Sequence, residues 1–272
     1  MKAFAAVALC ALVAWTGLPS TAVWAKEKAS EKLADQAKSA LLMEKDTGTV
    51  LYSQNADDRL PPASMTKIMT LLLIFKALDA QDISLKDKVR ISEHAASMGG
   101  SQVFLEPGET MTVRDLIKAI AIASANDASV AMAEYIAGSE QAFVKRMNDE
   151  AKRLGLKNTH FKNPTGLSAD GHYSSARDMA LMARALLRYP EVLKFTSIYE
   201  DYLRENTDNK FWLVNTNKMI KTYPGVDGLK TGFTQEAKYC LTATAMKNGM
   251  RVIAVVMGAP TTKVRNEQVA KM

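Results

Sequence analysis

Ser64-Met65-Thr66-Lys67 places a hydroxyl and an amine three residues apart, the one S-x-x-K in the chain. A serine hydroxyl is a weak nucleophile at neutral pH and needs a base beside it, and residues at i and i+3 on a helix share a face. Pro61 and Pro62 disfavour helix before Ser64, whereas Met65 to Asp79 carries good helix formers and a long apolar run. Ser64 is therefore expected at a helix start, where first-turn N–H groups favour developing negative charge. Taken alone, the pair fits equally well a serine N-cap followed by a solvated lysine.

Two more short elements have chemistry of this kind. Ser124-Ala125-Asn126 falls between two helical patterns, and Lys230-Thr231-Gly232 ends an apolar strand pattern. Alone, the first is an ordinary capping or turn pair, and the second an edge charge with a glycine that permits a bulge. His94, His160 and His172 are scattered without ligand spacing, so no metal site and no Ser-His-Asp triad is expected. The many methionines at helical spacing suit core filling better than a cofactor box.

The elements that must position these groups follow from periodicity. Ala40 to Met43 and Thr49 to Tyr52 around Asp46-Thr47-Gly48 predict a β-hairpin. The helix from Ser64 is apolar almost all round and belongs inside a domain. Thr112 to Ala123, Ala128 to Ala137, Gln141 to Leu154 and Ser175 to Leu187 predict further helices, the last capped by Ser174 or Ser175. Val226 to Phe233, Tyr239 to Met246 and Arg251 to Met257 read as strands, with a hairpin turn at Asn248-Gly249. A helical middle is thus flanked by strands able to pair into one antiparallel sheet, an α+β pattern.

With 272 residues, 47% of them hydrophobic, the chain suits one large domain or two lobes sharing a core. Residues 1–25 have the build of a secretory signal peptide: Lys2, an apolar run from Ala3 to Trp15, and Val23-Trp24-Ala25 before a charged stretch. The run is shorter than the roughly 20 residues a membrane span requires. Residues 26–39, charged and alanine-rich, are expected to form a tether or short helix. Cys10 lies in the leader, which leaves Cys240 alone and excludes an intrachain disulfide from the remainder. The formal net charge of +6 suits an anionic cell envelope, and the basic residues are not interleaved with aromatics as nucleic-acid binding would require.

Order and placement give the three elements their weight. S-x-x-K, S-x-N and K-T-G in succession resemble the penicillin-recognising serine enzymes. More narrowly, Pro62 to Thr70, Ser124 to Ala128, Gly171 to Asp178 and Val226 to Gly232 resemble the low-molecular-mass D-alanyl-D-alanine carboxypeptidases, serine peptidase family S11. The likeness runs from about Ala40 to the end of the chain. It implies a β-lactamase/DD-peptidase-like α+β fold: an antiparallel sheet flanked by helices, an all-helical lobe, and the active site between them.

The resemblance also implies roles. Ser64 would attack the carbonyl between the terminal D-alanines of a peptidoglycan pentapeptide, Lys67 would be the base, and Ser124 would relay a proton to the leaving amine. Asn126 would hold Lys67 and the substrate amide, and Lys230 and Thr231 the terminal carboxylate. Gly232 would leave room for a peptide along the strand, and Phe233 would supply an oxyanion N–H together with Ser64. No cofactor is called for, and β-lactams would be covalent inhibitors. Lys67 must be neutral to act, and both burial and the Lys230 charge favour that.

Two other functions share the fold. A class A β-lactamase needs a glutamate-held water, and Asn158 to Gly166, the corresponding stretch, contains no acidic residue. A non-catalytic envelope-binding protein would have no use for a paired nucleophile and base. Relatives often carry an arginine upstream of K-T-G, where this chain has Asn215-Thr216-Asn217-Lys218. The sequence stops at Met272, partway through an expected final helix, so residues 40–272 read as a catalytic domain without the β-rich domain and membrane anchor of relatives. Export to the cell envelope or medium is expected, and membrane attachment has no support in the sequence.

Overall fold

The computed structural model describes residues 33–272; the expected signal peptide, 1–25, and most of the expected tether, 26–39, lie outside this range. Five strands form the main sheet: β1 (Ser39–Glu44), β2 (Val50–Gln54), β7 (Val226–Thr234), β8 (Lys238–Lys247) and β9 (Met250–Ala259). Their order is β2-β1-β9-β8-β7, antiparallel throughout, so chain ends distant in sequence meet in the middle and β7 is an edge. Asn248 and Gly249 both adopt positive φ, +51° and +76°, as the two-residue turn joining β8 to β9 requires.

Alternation along the strands divides the core in two. Leu41, Met43, Ile253, Val255 and Met257 join the larger cluster, with α1 (Lys67–Asp79) and α6 (Ala176–Leu186) packed on that face. Ala40, Leu42, Leu241, Ala243, Ala254 and Val256 face the other way, onto α9 (Thr262–Lys271). Side chains on most turns of α1 are buried, as its all-round hydrophobicity predicts. Residues 33–38 are neither a free tether nor a helix. They make turns that bury Ala34 and Ala37 on the outer cluster, and Gln54 Nε2 donates to the carbonyls of both.

The helical side comprises α3 (Val113–Lys118), α4 (Asn126–Ala137) and α5 (Glu140–Arg153), beside the short hairpin β3 (Lys88–Arg90) and β4 (Thr110–Thr112) and the single turn α2 (Glu93–Ala96). The pattern from Thr112 to Ala123 does not give one regular helix: Thr112 caps α3, and the last turn, Ala119–Ala123, widens to π spacing. Ser175 is the cap of α6, accepting from the Asp178 N–H at 3.2 Å. After α6 come α7 (Leu193–Thr196), the hairpin β5 (Glu200–Leu203) and β6 (Phe211–Val214), and α8 (Met219–Thr222), none of which the periodicity revealed.

Candidate active site

Pro61 and Pro62 deliver the chain into a 3₁₀ turn, Ala63–Thr66, that runs straight into α1 at Lys67. Ser64 is therefore within the first turn and caps nothing; no side-chain cap bond is made there. Two contacts brace this turn. Thr66 Oγ1 lies 2.9 Å from His172 Nε2. Gly166, at φ +84°, lies so close beneath that a Cβ there would sit 1.9 Å from the Ala63 carbonyl oxygen and 2.9 Å from the Ser64 nitrogen. Only glycine fits both the backbone conformation and the space.

Lys67 is fully buried. Its Nζ is 3.1 Å from Ser64 Oγ, 2.6 Å from Asn126 Oδ1 and 2.7 Å from the Thr165 carbonyl oxygen. Burial holds the Lys67 pKa well below the usual lysine value, the Lys230 charge lowers it further, and the buried Asp127 carboxylate opposes them in part. A neutral amine has two N–H bonds and one lone pair. Asn126 Oδ1 and Thr165 O can only accept, so they take both N–H bonds and leave the lone pair for the Ser64 O–H.

Asn126 opens α4 and is not in a loop; its Nδ2 donates to the Gly99 carbonyl at 2.7 Å, which fixes which way the amide points. Ser124 ends the preceding π turn in the left-handed region, φ +64°, where a non-glycine residue is held only under constraint. Its hydroxyl is buried and makes no hydrogen bond to the described residues. Next in the chain, Asp127 Oδ2 accepts from the Val103 and Leu105 N–H groups at 3.0 and 3.1 Å, tying the 99–105 loop to the start of α4.

Lys230, Thr231 and Gly232 lie on edge strand β7, which packs on the 3₁₀ turn. A Cβ on Gly232 would stand 2.8 Å from the Pro62 carbonyl oxygen, so the strand can approach the nucleophile only at a glycine. Lys230 is fully buried, and its Nζ donates to the Thr231 carbonyl at 3.1 Å. Burial first, and then the Arg265 charge, lower its pKa to about 7. Thr231 Oγ1 donates to Thr216 Oγ1 at 2.7 Å. The Phe233 ring is half exposed and lies 4.5 Å from that of Tyr239. Asp227 braces the strand start through both guanidinium nitrogens of Arg251, at 2.8 Å each.

The structure thus gathers Ser64, Lys67 and Asn126 into one hydrogen-bonded group with Lys230 near enough to bias Lys67. It adds four residues that spacing did not reveal: Thr165 through its carbonyl, His172 as a brace, Thr216 against Thr231, and the buried Arg265 of α9 beside Lys230. Of these, only His172 had a sequence signal, through its place in Gly171 to Asp178. Where a β-lactamase glutamate would fall, the 158–166 stretch presents the Thr165 carbonyl to Lys67 and the Pro164 carbonyl to Thr70. Among the described residues, no three His, Cys, Asp or Glu side chains cluster as metal ligands, and no helix is long and apolar enough to cross a membrane.

Comparison with known proteins gives a consistent result. The family described as D-alanyl-D-alanine carboxypeptidase, Peptidase S11, matches residues 25–261. The chain is 65% identical over its whole length to D-alanyl-D-alanine carboxypeptidase DacF of Bacillus subtilis, spanning 70% of that protein. It is 41% identical to DacC of Escherichia coli over 92% of its own length and 63% of the relative's. The crystal structure of DacD from Francisella tularensis superposes with a TM-score of 0.83 at 33% identity, covering 86% of this chain and 68% of that one. Penicillin-binding protein D2 of Listeria monocytogenes, solved in its ampicillin-bound form, gives 0.73 at 35% identity over 87% and 95% of the two chains. With this fold, this order of motifs and a family match across most of its length, the chain belongs to the D-alanyl-D-alanine carboxypeptidase family, Peptidase S11.

Proposed function

We propose that the chain is a serine-type D-alanyl-D-alanine carboxypeptidase that trims the last residue from peptidoglycan stem peptides. The observation that carries this reading is the arrangement at Lys67 Nζ, where two acceptor-only oxygens and one hydroxyl surround a buried amine. Lys67 takes the Ser64 proton as Oγ attacks the carbonyl between the two D-alanines, and the Ser64 ester forms. The C–N bond then breaks and the departing D-alanine amine takes up a proton through Ser124, whose hydroxyl is uncommitted within the protein. Water hydrolyses the ester and regenerates Ser64.

The terminal carboxylate lies at Lys230 and Thr231, so the site demands a free C-terminus. Backbone N–H groups of Ser64 and Phe233 receive the oxyanion, each such donor being worth about 3 kcal/mol. Asn126 both accepts from Lys67 and orients the substrate amide. The peptide lies along the open edge of β7, where Gly232 adds no side chain. A β-lactam enters the same path and stays as a Ser64 ester, because no carboxylate lies in the 158–166 stretch to activate water against it. Residues 1–25 are read as an export signal and 40–272 as the catalytic domain, which places the activity outside the cytoplasm, at the cell wall.

Release of D-alanine from a synthetic pentapeptide tests the reading. The wild-type protein is expected to release one equivalent per peptide and Ser64→Ala none; no release by folded wild-type protein would overturn it.

A further inference from the structure

Among the described residues Trp212 is the one tryptophan, and it is 57% exposed on β6. Directly opposite it on β5 stands Tyr202, 38% exposed. Partners in this register hold their Cβ atoms about 5 Å apart on one face, so the two rings make a continuous aromatic surface. Large aromatic side chains contribute chiefly by burial, and two left open side by side mark a contact surface.

The hairpin beneath these rings is firmly seated. Leu203 and Leu213, on its other face, are buried, and the Phe211 ring lies 5.9 Å from that of Phe104. From α3, Lys118 Nζ donates to the Tyr202 carbonyl at 2.9 Å and pairs with the Asp201 carboxylate at 2.7 Å. Hydrogen-bonding groups flank the rings. Lys210 Nζ stands 3.9 Å from the centre of the Tyr202 ring and 4.0 Å from the Glu205 carboxylate. Glu200, on the same face as Tyr202 by alternation, is exposed.

Charge narrows the choice of occupant. Between residues 200 and 214, the acids Glu200, Asp201, Glu205 and Asp208 outnumber Arg204 and Lys210, in a chain whose net charge is +6. An anionic bilayer or a polyanion is repelled by such a hairpin. A neutral sugar ring is not: its C–H face lies on an aromatic ring while its hydroxyl and acetamido groups meet the donors and acceptors alongside. Strand β6 then runs on to Thr216, roughly 13 Å beyond Trp212, where Thr216 Oγ1 accepts from Thr231 at 2.7 Å. The aromatic surface therefore joins the site at its carboxylate end.

Resting on the carboxypeptidase reading, which brings peptidoglycan to the site, we propose that the outer face of the β5–β6 hairpin binds the glycan of the cell wall. Trp212 and Tyr202 stack against N-acetylhexosamine rings of the β-1,4-linked chain, Lys210 donates to an acetamido carbonyl, and Glu200 accepts from a hydroxyl. The contact holds the enzyme on its polymeric substrate and takes no part in acyl transfer.

Co-sedimentation with insoluble wall glycan, freed of stem peptides and of anionic polymers, tests this. Wild-type protein is expected to be retained, and the β-1,4 tetramer of N-acetylglucosamine to release it. Trp212→Ala is expected to weaken retention about tenfold and Trp212→Phe to keep most of it, while both release D-alanine from a soluble pentapeptide at the wild-type rate. Wild-type protein that passes over the glycan, or that binds anionic vesicles in its place, overturns the proposal, as does retention unchanged in Trp212→Ala. A Trp212→Ala variant slowed to the same extent on the soluble peptide also overturns it, because Trp212 then supports the site itself. Absence of D-alanine release by wild-type protein overturns the carboxypeptidase reading instead, an outcome independent of retention on glycan.

Discussion

Two buried lysines at the candidate site are equipped differently. Lys67, at the start of α1, meets three oxygens already in place, those of Ser64, Asn126 and Thr165. Lys230, on β7, meets one backbone oxygen and has Arg265 for a neighbour. Both pay for burial, yet the first surroundings are complete and the second are short of an anion. A buried amine with its acceptors in place and another cation beside it is kept neutral, ready to take a proton. A buried amine with a single backbone acceptor and no anion is a seat for a carboxylate, and bringing one in restores its charge.

That contrast can be broken most strongly at Lys230. Lys230→Met is expected to lower kcat/KM for the peptide by roughly 10² to 10³, the cost of removing one partner of a buried charge pair. The same change removes a charge that depresses the Lys67 pKa, so the acid limb of the acylation rate is expected to move to higher pH. An unchanged limb would show that Lys230 does not bias the base. In the free wild-type enzyme, the alkaline limb of kcat/KM should lie close to pH 7, where Lys230 loses its proton, and kcat should lack it because bound carboxylate raises that pKa.

The completeness of the Lys67 side is tested at Gly166. Adding a methyl group 1.9 Å from the Ala63 oxygen must shift the nucleophile turn. A shift of about 1 Å costs about 10²-fold in acylation rate, so Gly166→Ala should be slowed to that extent while remaining folded. Near-normal acylation would mean the loop yields instead.

His172 offers a smaller effect, on stability. Burial holds its pKa at about 4, below the 6.5 of the unfolded chain, so the unfolded state binds more protons between those values. Stability is then greatest above pH 6.5 and falls as pH drops towards 4, by about 2 kcal/mol at pH 5. Urea unfolding at pH 7 and pH 5 should show this loss in wild-type protein and a smaller one in His172→Gln; equal losses contradict the assignment. Smallest of all, Arg265→Leu is expected to raise KM by about tenfold with little change in kcat, since it assists binding from behind Lys230. A loss confined to kcat would place Arg265 elsewhere in the mechanism.

What the sequence made legible divides along the same line. Residue types at short spacing singled out Ser64, Lys67, Ser124, Asn126 and Lys230 as candidates because side-chain chemistry is written in the letters, and the order of the three elements, through the family resemblance, gave them weight. The structure joins Ser64, Lys67 and Asn126 by hydrogen bonds. The 226–259 strands and the Asn248-Gly249 turn were equally readable from alternation and turn chemistry. Thr165 was not, since its contribution is a backbone carbonyl that any residue has, and a distant loop brings it to Lys67. Arg265 was hidden for a related reason: α9 reaches Lys230 only because β9 and β8 lie between β1 and β7 in the sheet, and that order follows from long-range pairing. The β5–β6 hairpin escaped because its strands are four residues each and β5 opens on two acids, Glu200 and Asp201. Residues 33–38 looked like a tether because two buried alanines, Ala34 and Ala37, leave no periodic signal.

The central claim is that Lys67 acts on Ser64 as a neutral base. Labelling with a fluorescent penicillin tests it, with the adduct mapped by peptide mass in wild-type protein and in Lys67→Arg, whose guanidinium keeps its charge at any accessible pH. The account predicts an adduct on Ser64 in wild-type protein, formed more slowly as pH falls, and acylation of Lys67→Arg reduced by at least about 10³-fold. Labelling of Lys67→Arg at the wild-type rate, or of a residue other than Ser64, would contradict it.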